Sequence, residues 1–328
     1  MKPRILHWLG DQEMGGIKTV LDSQTGADLM QNYEIEISSG DIYSLLRQFQ
    51  PQLLVIHKAS NWRGVLNLFW LRLRFRQLKI ILQEHHYCEG FEQFNVPSPF
   101  RFRLMLRISY ALVDRVVAVS YEQGRWLQKN KLLSPKKLTV IPASRNLDQL
   151  LILPLHSASS PLRLGAYGRF SPQKGFDILI RAMGNVQDVP VILQLGGMGS
   201  QEAELRELAS GLSNVEFVGA IRDVPAFLTS LDAVAVPSRW EPWGLTCLEA
   251  KAAGKLVLVS HVDGLKEQAE DYGILLPVGD VEKWSSAIAQ LPHLDCQTLG
   301  QKARLSVQKA WQQHFSAWEQ LFTELLSE

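Results

Sequence analysis

The sequence predicts an α/β protein built from two lobes, each containing a doubly wound parallel sheet. Short apolar runs alternate with helical patterns along the chain, as expected for strands joined by crossover helices. The alternation stops at residues 155–161, a polar, proline-terminated segment typical of a linker, and then starts again. With 328 residues and 46% hydrophobic content, the chain is long enough for about two domains with sizeable cores.

Apolar runs that predict strands occur six times on each side of this linker. In the first half they are residues 4–9, 34–38, 53–57, 79–83, 115–120 and 138–141. In the second half they are residues 162–167, 191–195, 215–218, 233–236, 256–260 and 273–276. Helical patterns separate them, so both sheets are expected to be parallel. Ligands of such sheets bind at the carboxyl ends of the strands, and we expect two Rossmann-like lobes with a cleft between them.

The last part of the chain, residues 306–325, has a long helical pattern. Four aromatic residues recur there at steps of four and three positions and share one helix face: Trp311, Phe315, Trp318 and Phe322. Four aromatic rings on one face need a substantial surface to cover them. We therefore expect this helix to pack against another part of the chain.

Bulk composition argues against several classes of protein. A net charge of +1 and a pI near 7.8 argue against a whole-protein nucleic-acid binder. Cys88, Cys247 and Cys296 lack the paired spacing of a zinc site and are expected to be reduced, packed thiols. The apolar run before Asp11 is too short for a signal peptide, and no later run approaches the roughly eighteen apolar residues of a membrane span. We expect a cytoplasmic protein.

Positive charge is concentrated between Asn61 and Lys137, where we count fourteen Lys and Arg residues against five Asp and Glu residues. Within this region, residues 70–76 and 101–107 interleave arginine with bulky apolar residues. Such segments are suited to an anionic bilayer surface. The alternative is two amphipathic domain helices with solvated arginine faces. Taken together, the two segments favour a peripheral contact at the inner face of the cytoplasmic membrane.

A cationic loop follows the first strand of the second lobe. Arg169 and Lys174 are five positions apart, after Gly168 and directly before a helix. A guanidinium and an ammonium at the carboxyl end of a strand suit a diphosphate. The alternative is a pair of solvated loop cations.

Two glutamates lie eight positions apart around a predicted helix start at Gly244. The second of them, Glu249, falls inside the buried stripe of this helix, whereas the first, Glu241, precedes it. A carboxylate removed from water needs donors, because an unpaired buried carboxylate is expensive. Glu249 is therefore either a structural residue bonded to a neighbouring loop or a residue that binds the hydroxyls of a ligand.

Glycine-containing turns follow other predicted strands. Gly15 and Gly16 lie at a helix start, where backbone N–H groups can approach an anion, although paired glycines also make a flexible turn. The G-x-G-x-x-G spacing is absent, so no nicotinamide or flavin site is predicted. In the turn after residues 215–218, the backbone around Ile221 is placed to contact the edge of a base.

These motifs in this order resemble the carboxyl-terminal lobe of glycosyltransferase family 4, a group of retaining enzymes with the GT-B fold. The matching residues are Gly168-Arg169 with Lys174-Gly175, then the E-x7-E pair from Glu241 to Glu249, and Gly254. The resemblance covers essentially the whole chain, since the Gly15-Gly16 turn fits the first lobe. It implies an acceptor-side lobe over residues 1–154, completed by a crossover helix over 306–328, and a nucleotide-sugar lobe over 155–305.

The resemblance also implies roles for individual residues. Glu249 would bind the ribose hydroxyls of the donor, and Glu241 would contact hydroxyls of the transferred sugar. The backbone of Trp243, Gly244 and Leu245 would hold the sugar and the phosphate.

The same resemblance implies which residues neutralise the charge of the leaving group and which could transfer a proton. Arg169 and Lys174 would neutralise the departing diphosphate. No Asp-x-Asp is present, so no metal and no cofactor is expected besides the nucleotide-sugar co-substrate. His85, with His86 as its rival, would hydrogen-bond a sugar hydroxyl or assist proton transfer. The alternative for either is a loop histidine satisfied within the protein.

Two departures from the family pattern are visible. Pro142-Ala143-Ser144 stands where the family usually has Pro-Asn-Gly, and Trp243 replaces a more usual Phe. The expected activity is transfer of a hexose from a nucleotide-diphosphate sugar to a saccharide or lipid-linked saccharide, in lipopolysaccharide core or exopolysaccharide synthesis. The alternatives are a nucleotide-sugar epimerase of the same fold and a non-catalytic sugar-binding protein.

Overall fold

The computed structural model describes residues 2–9, 20–21, 32–155 and 160–327. The chain divides into two compact units. The first comprises Met1–Asn146 and Ala310–Glu328, and the second comprises Leu147–Lys309.

A six-stranded parallel sheet forms the first unit, in the order β2-β1-β3-β4-β5-β6. The strands are β1 (Arg4–Leu9), β2 (Glu34–Ser39), β3 (Leu53–Ile56), β4 (Lys79–Glu84), β5 (Arg115–Ala118) and β6 (Leu138–Val140). The helices before the second unit are α1 (Ile42–Phe49), α2 (Trp62–Arg74), α3 (Glu89–Asn95), α4 (Pro99–Ala111) and α5 (Tyr121–Lys129). All six strand predictions for this half are confirmed, with ends displaced by at most two residues.

Side-chain caps fix where α1 and α2 of this unit begin. The carboxylate of Asp41 accepts from the Ser44 N–H at 2.8 Å and starts α1. Asn61 accepts from the Gly64 N–H, also at 2.8 Å, and starts α2. Such caps satisfy N–H groups that have no partner within the helix. The central strands are buried along almost their whole length, which explains why they appear in the sequence as continuous apolar runs.

The second unit contains the other six-stranded parallel sheet, in the order β12-β11-β10-β7-β8-β9. Its strands are β7 (Leu162–Tyr167), β8 (Val191–Gly196), β9 (Val215–Gly219), β10 (Ala233–Val236), β11 (Leu256–Ser260) and β12 (Gly273–Leu276). Its helices are α6 (Asp148–Leu151), α7 (Phe176–Gly184), α8 (Glu202–Leu208), α9 (Val224–Thr229), α10 (Leu245–Ala252), α11 (Asp263–Ala269), α12 (Val281–Gln290) and α13 (Cys296–Val307). The strand predictions for this half are confirmed as well.

The last helix, α14 (Ala310–Ser327), belongs to the first unit and not to the second. It packs a buried stripe on the first sheet, where Trp318 and Phe322 join a cluster with Ile5 and Val55. The sequence prediction needs two corrections. Residues 306 and 307 belong to α13, because the helical pattern is broken before Ala310.

The second correction concerns the aromatic stripe of α14. Trp311 and Phe315 are half-exposed and lie edge to face at 4.2 Å between ring centroids, whereas Trp318 is only 3% exposed. The buried stripe includes residues that the aromatic pattern did not indicate: His314, Leu321 and Leu325. The first turn of α14 therefore covers less of the sheet than expected from four aromatic residues on one buried helix face.

Replacing Trp318 with Ala is expected to lower the free energy of unfolding by about 3–5 kcal/mol, because it removes a fully packed indole and leaves a cavity. Trp311→Ala, in the same helix but half-exposed, is the matched control and should cost clearly less. Urea unfolding followed by circular dichroism measures both. Equal losses from the two variants would contradict the packing described for α14.

No helix in the described ranges combines the length and the apolar character needed to cross a bilayer.

Candidate active site

An ion pair joins two loops at the carboxyl ends of neighbouring strands in the second unit. Lys174, in the loop after β7, donates from Nζ to Oε2 of Glu241, in the loop after β10, at 2.5 Å. Ser238 donates to the same oxygen at 3.2 Å. The side chains of Lys174 and Glu241 are 21% and 12% exposed, so the pair is largely removed from water. Two residues that the sequence assigned to the site thus lie in direct contact.

A second set of bonds fixes these loops to each other. Arg239 donates to both carboxylate oxygens of Asp177, each at 2.8 Å. Burial opposes ionisation of Asp177, but the hydrogen bonds and charge of Arg239 outweigh it and lower the pKa of this carboxyl group. Gln173 donates to the Trp240 carbonyl at 3.1 Å. The two loops are therefore held rigidly, which places the ion pair without help from a ligand.

Glu249 lies on the buried face of α10, as the helical spacing predicted, and is 6% exposed. The hydroxyl of Tyr167 donates to its Oε2 at 2.6 Å. Tyr167 is the last residue of β7, directly before Gly168. The sequence argument missed Tyr167, although its place at a strand end beside the Gly-Arg motif was a usable signal. The bond orients the Glu249 carboxylate.

Helix α10 begins at a glycine and therefore has no side-chain cap from its N-cap residue. Gly244 occupies the cap position with φ of +98°, a conformation that favours glycine, and no side chain among the described residues caps the first helical N–H groups. Gln268 donates to the carbonyls of Trp243 and Gly244, at 2.6 and 3.2 Å, and so fixes the loop. Uncapped N–H groups at a helix start suit an anion, and Leu245 is the first helical residue.

The other donor-side predictions have mixed outcomes. Arg169 is exposed, and none of the described residues forms a hydrogen bond or ion pair with it. Ile221 packs at the end of β8, so close to Gly196 that a methyl group on this glycine would collide with it. Gly168 has φ of +148°, in the region that favours glycine. Gly15 and Gly16 lie outside the described residues.

A row of three histidines crosses the sheet of the first unit on neighbouring strands. His7 of β1 bonds through Nδ1 to Nε2 of His57, which follows β3, at 3.0 Å. His57 bonds through Nδ1 to Nε2 of His85, which follows β4, also at 3.0 Å. Since a neutral imidazole carries one proton, His57 donates in one of these bonds and accepts in the other, so the tautomers of the three rings are coupled. This row was not predicted from sequence, because only His85 lies near a recognised motif.

Burial keeps this row neutral. It lowers the pKa of His7 and of His85 to about 3, and it lowers the pKa of His57 well below the usual range, with a smaller contribution from the neighbouring imidazoles. The rival candidate, His86, has a buried Nε2 without a hydrogen-bond partner in the described part of the chain. Its backbone N–H donates to the buried carboxylate of Glu84 at 2.9 Å.

The neutral histidines give a pH prediction. The pKa of His7 is about 3 in the folded chain, against an ordinary value of 6.5, so between these values the unfolded chain binds a proton that the folded chain does not. The free energy of unfolding must therefore fall as pH falls through this window, by about 2 kcal/mol per such histidine between pH 7 and pH 5. Urea titrations at both values should show this, with a smaller fall in His7→Asn. An unchanged stability at pH 5 would contradict neutral burial.

Within the described ranges, no three His, Cys, Asp or Glu side chains converge in a way that could hold a metal ion. Cys88, Cys247 and Cys296 are buried thiols that form no disulfide bond. Burial raises the pKa of the Cys247 thiol to about 12.

The two units match two family models. Residues 161–293 match the model described as glycosyl transferases group 1, and residues 32–149 match the model described as glycosyltransferase family 4. Together these matches cover well over half of the chain and place one family signature in each unit. The chain belongs to glycosyltransferase family 4. The E-x7-E pair and the Gly-Arg and Lys-Gly motifs of this family 4 chain all fall within the first match.

Curated proteins similar to this family 4 chain are longer than the matched region. The D-inositol 3-phosphate glycosyltransferase of Segniliparus rotundus is 28% identical over 219 residues, which is 60% of this chain and 48% of that protein. The glycogen synthase of Thermus thermophilus is 30% identical over 173 residues, which is 51% of this chain and 39% of that protein. The chain thus spans less than half of the length of these two relatives.

Solved structures show the same fold over the whole chain. The sucrose-phosphate synthase of Thermosynechococcus elongatus has a TM-score of 0.77 at 21% identity, with 100% of both chains covered. HepE of Anabaena, solved in complex with UDP-glucose, has a TM-score of 0.73 at 19% identity, with 99% of both chains covered. The family 4 chain therefore has the GT-B fold.

Proposed function

We propose that this protein is a retaining glycosyltransferase that moves a hexose from a nucleotide-diphosphate sugar to a saccharide or lipid-linked saccharide. The observation that carries the proposal is the Lys174–Glu241 pair, held in rigid loops of the unit that matches the group 1 transferase model. The structural neighbour HepE was solved with UDP-glucose, which supports a nucleotide sugar as the donor.

The proposed chemistry begins with the leaving group. As the bond between the anomeric carbon and the phosphate oxygen breaks, negative charge develops on the departing diphosphate. Lys174 and Arg169 supply the positive charge that stabilises it, and the uncapped first turn of α10 supplies N–H donors. The acceptor hydroxyl attacks from the face that the diphosphate leaves and gives its proton to the departing phosphate oxygen, so the anomeric configuration is retained. With two cations in place, we propose that the reaction needs no metal ion.

Donor recognition is assigned to the two glutamates. Glu249, oriented by Tyr167, accepts from the ribose hydroxyls, and Glu241 accepts from hydroxyls of the transferred sugar. The Ile221 backbone contacts the base. In the first unit, we propose that His85 hydrogen-bonds a hydroxyl of a bound sugar. Because burial keeps the pKa of His85 low, the ring acts as a neutral imidazole and not as a charged acid.

The surface of the first unit supports an acceptor at an anionic membrane. Helices α2 and α4 pack against each other, and both expose apolar side chains. On α2 these are Trp62, Leu66, Phe69, Trp70 and Leu73, and on α4 they are Phe100, Leu104 and Ile108. Exposed arginines lie among them: Arg63, Arg74, Arg101 and Arg107. Bulky apolar groups interleaved with cations suit the boundary between headgroups and acyl chains of anionic lipid. This favours a lipid-linked acceptor, as in lipopolysaccharide core or exopolysaccharide synthesis.

The test is a transfer assay with labelled UDP-, GDP- and ADP-hexoses and extracted saccharide and lipid acceptors. Transfer predicts release of the nucleoside diphosphate only with a suitable acceptor, and proton NMR of the product should show the anomeric configuration of the donor. An epimerase would instead convert the donor without an acceptor, and a binding protein would give no turnover. Vesicles with anionic lipid should sediment the protein in low salt, and neutral vesicles should not.

A further inference from the structure

A cavity of about 490 Å³ lies within the first unit, and no residue predicted from sequence as a site residue lines it. It lies where the neighbouring strands β1 and β3 end, next to the first turns of α1 and α2. Most of its wall is apolar, with side chains from both strands and both helices: Trp8, Ile42, Ile56, Leu68 and Leu71. A cavity at the carboxyl ends of parallel strands is where such sheets bind ligands.

One part of the wall is positively charged. The Lys58 ammonium lies 5.6 Å from the centroid of the Trp8 ring, and Arg63 stands in the first turn of α2, where the helix dipole also favours an anion. Among the described residues that line the cavity, Asp41 is the one acidic side chain. Its carboxylate is used to cap α1, by accepting from the Ser44 N–H. The balance of charge therefore favours an anionic group.

A buried hydroxyl in the same wall lacks a partner. Ser60 is 5% exposed, and its Oγ makes no hydrogen bond within the described part of the chain. A buried hydroxyl without a partner costs stability, so this one indicates a group that the protein itself does not provide. The Ser60 backbone is fixed, because the Tyr87 hydroxyl donates to its carbonyl at 2.6 Å. Ser60 therefore presents its hydroxyl from a fixed backbone, in the same cavity wall as Lys58 and Arg63.

We propose that this cavity binds a phosphate group attached to an apolar body. Lys58, Arg63 and the Ser60 hydroxyl donate to the phosphate, and the apolar body packs on the wall formed by Trp8 and Leu68. If the proposed transferase function is correct, on which this assignment of a role rests, the phosphate-bearing molecule is the acceptor. The cavity then selects acceptors that carry both a phosphate and an apolar group.

The experiment is calorimetric titration of the full chain with three probes: octyl phosphate below its micelle concentration, octanol, and inorganic phosphate. Octyl phosphate is expected to bind at least about tenfold more tightly than either of the others, since it alone engages the cations and the apolar wall together. Octanol binding as tightly would mean that the site recognises only the apolar group. Inorganic phosphate binding as tightly would mean a plain anion site. Either result would overturn the proposal.

Variants locate the binding. Lys58→Gln is expected to weaken octyl phosphate about tenfold and to leave octanol unchanged, while Lys129→Gln, an exposed lysine of the same unit, changes neither. Ser60→Ala should weaken octyl phosphate and keep the melting temperature, because the hydroxyl has no partner to lose. Octyl phosphate binding that survives both changes would place it elsewhere and contradict the proposal.

None of these titrations contains a nucleotide sugar, so their outcome is separate from that of the transfer assay. If octyl phosphate binds as expected but no hexose is transferred, the binding site in the cavity is supported and the proposed transferase function is contradicted. If transfer occurs, Lys58→Gln should raise KM for a phosphate-bearing acceptor and leave donor affinity unchanged. An unchanged acceptor KM would contradict the acceptor role of the cavity.

Discussion

Lys174→Met is expected to lower the transfer rate about 10²–10³-fold, because it removes the partly buried positive charge that we propose stabilises the leaving diphosphate. The substitution removes the ammonium and keeps an apolar side chain of similar length, with sulfur in place of the Cδ methylene. It also leaves the Glu241 carboxylate without its main partner at 12% exposure, so a loss of stability will accompany the loss of activity. Turnover and melting temperature should be measured on the same preparation.

The double variant Lys174→Met with Glu241→Gln separates the two effects. Neutralising both partners removes the unpaired buried charge, so stability should return toward that of the native chain. Activity should stay low, since neither cation nor carboxylate is restored. A matched control is Lys129→Met, which breaks the exposed pair with Glu89 and should cost no more than about 0.5 kcal/mol and no activity. Full activity in the double variant would show that Lys174 has no role in transfer.

Gly175→Ala is expected to destabilise the second unit by about 3 kcal/mol or more. Gly175 has φ of +65°, and an added methyl group would collide with the carbonyl oxygen of Pro237. Neither the added methyl group nor the Pro237 oxygen can move away easily. Gly175 and Pro237 belong to the two loops that the Lys174–Glu241 and Arg239–Asp177 ion pairs hold together. The substitution therefore adds a backbone clash to the strain of a left-handed residue.

Gly211→Ala is the control for this prediction. Gly211 has a comparable φ of +84°, but an added methyl group there would meet nothing within 4 Å. Its cost should be limited to the backbone strain of about 1 kcal/mol. Thermal unfolding of both variants distinguishes strain from collision: similar melting temperatures would mean that the two loops are not held as closely as described.

Much of the fold was predictable because the sheets are parallel and covered on both faces. Strands in that setting are continuous apolar runs, such as β3 and β11, and the runs stand out from the helical segments between them. The position of Glu249 on the buried face of α10 followed from helical spacing alone. The start of α14 was placed four residues early because the helical pattern of α13 continues almost to it.

The contacts that organise the candidate site were less predictable. Tyr167 and Glu249 are 82 positions apart, and the bond between them depends on which strand lies beside α10. The His7–His57–His85 row has the same origin, since its members lie on strands that neighbour each other only in the folded sheet. The spacing of residues in the sequence predicts which residues share a face of one helix or strand. Contacts between distant residues depend instead on the order of the strands in the folded sheet.

The most direct test of the account is a thermal-shift measurement with UDP-, GDP- and ADP-glucose, without added metal, on the native chain, on Glu249→Gln and on Glu282→Gln as an exposed control. A donor present at a hundredfold its dissociation constant should stabilise the fold by about 2.7 kcal/mol. The account predicts that one nucleotide class raises the melting temperature of the native chain and of the control but not that of Glu249→Gln. If no class shifts the native chain, or if the shift persists in Glu249→Gln, the donor site proposed in the second unit is wrong.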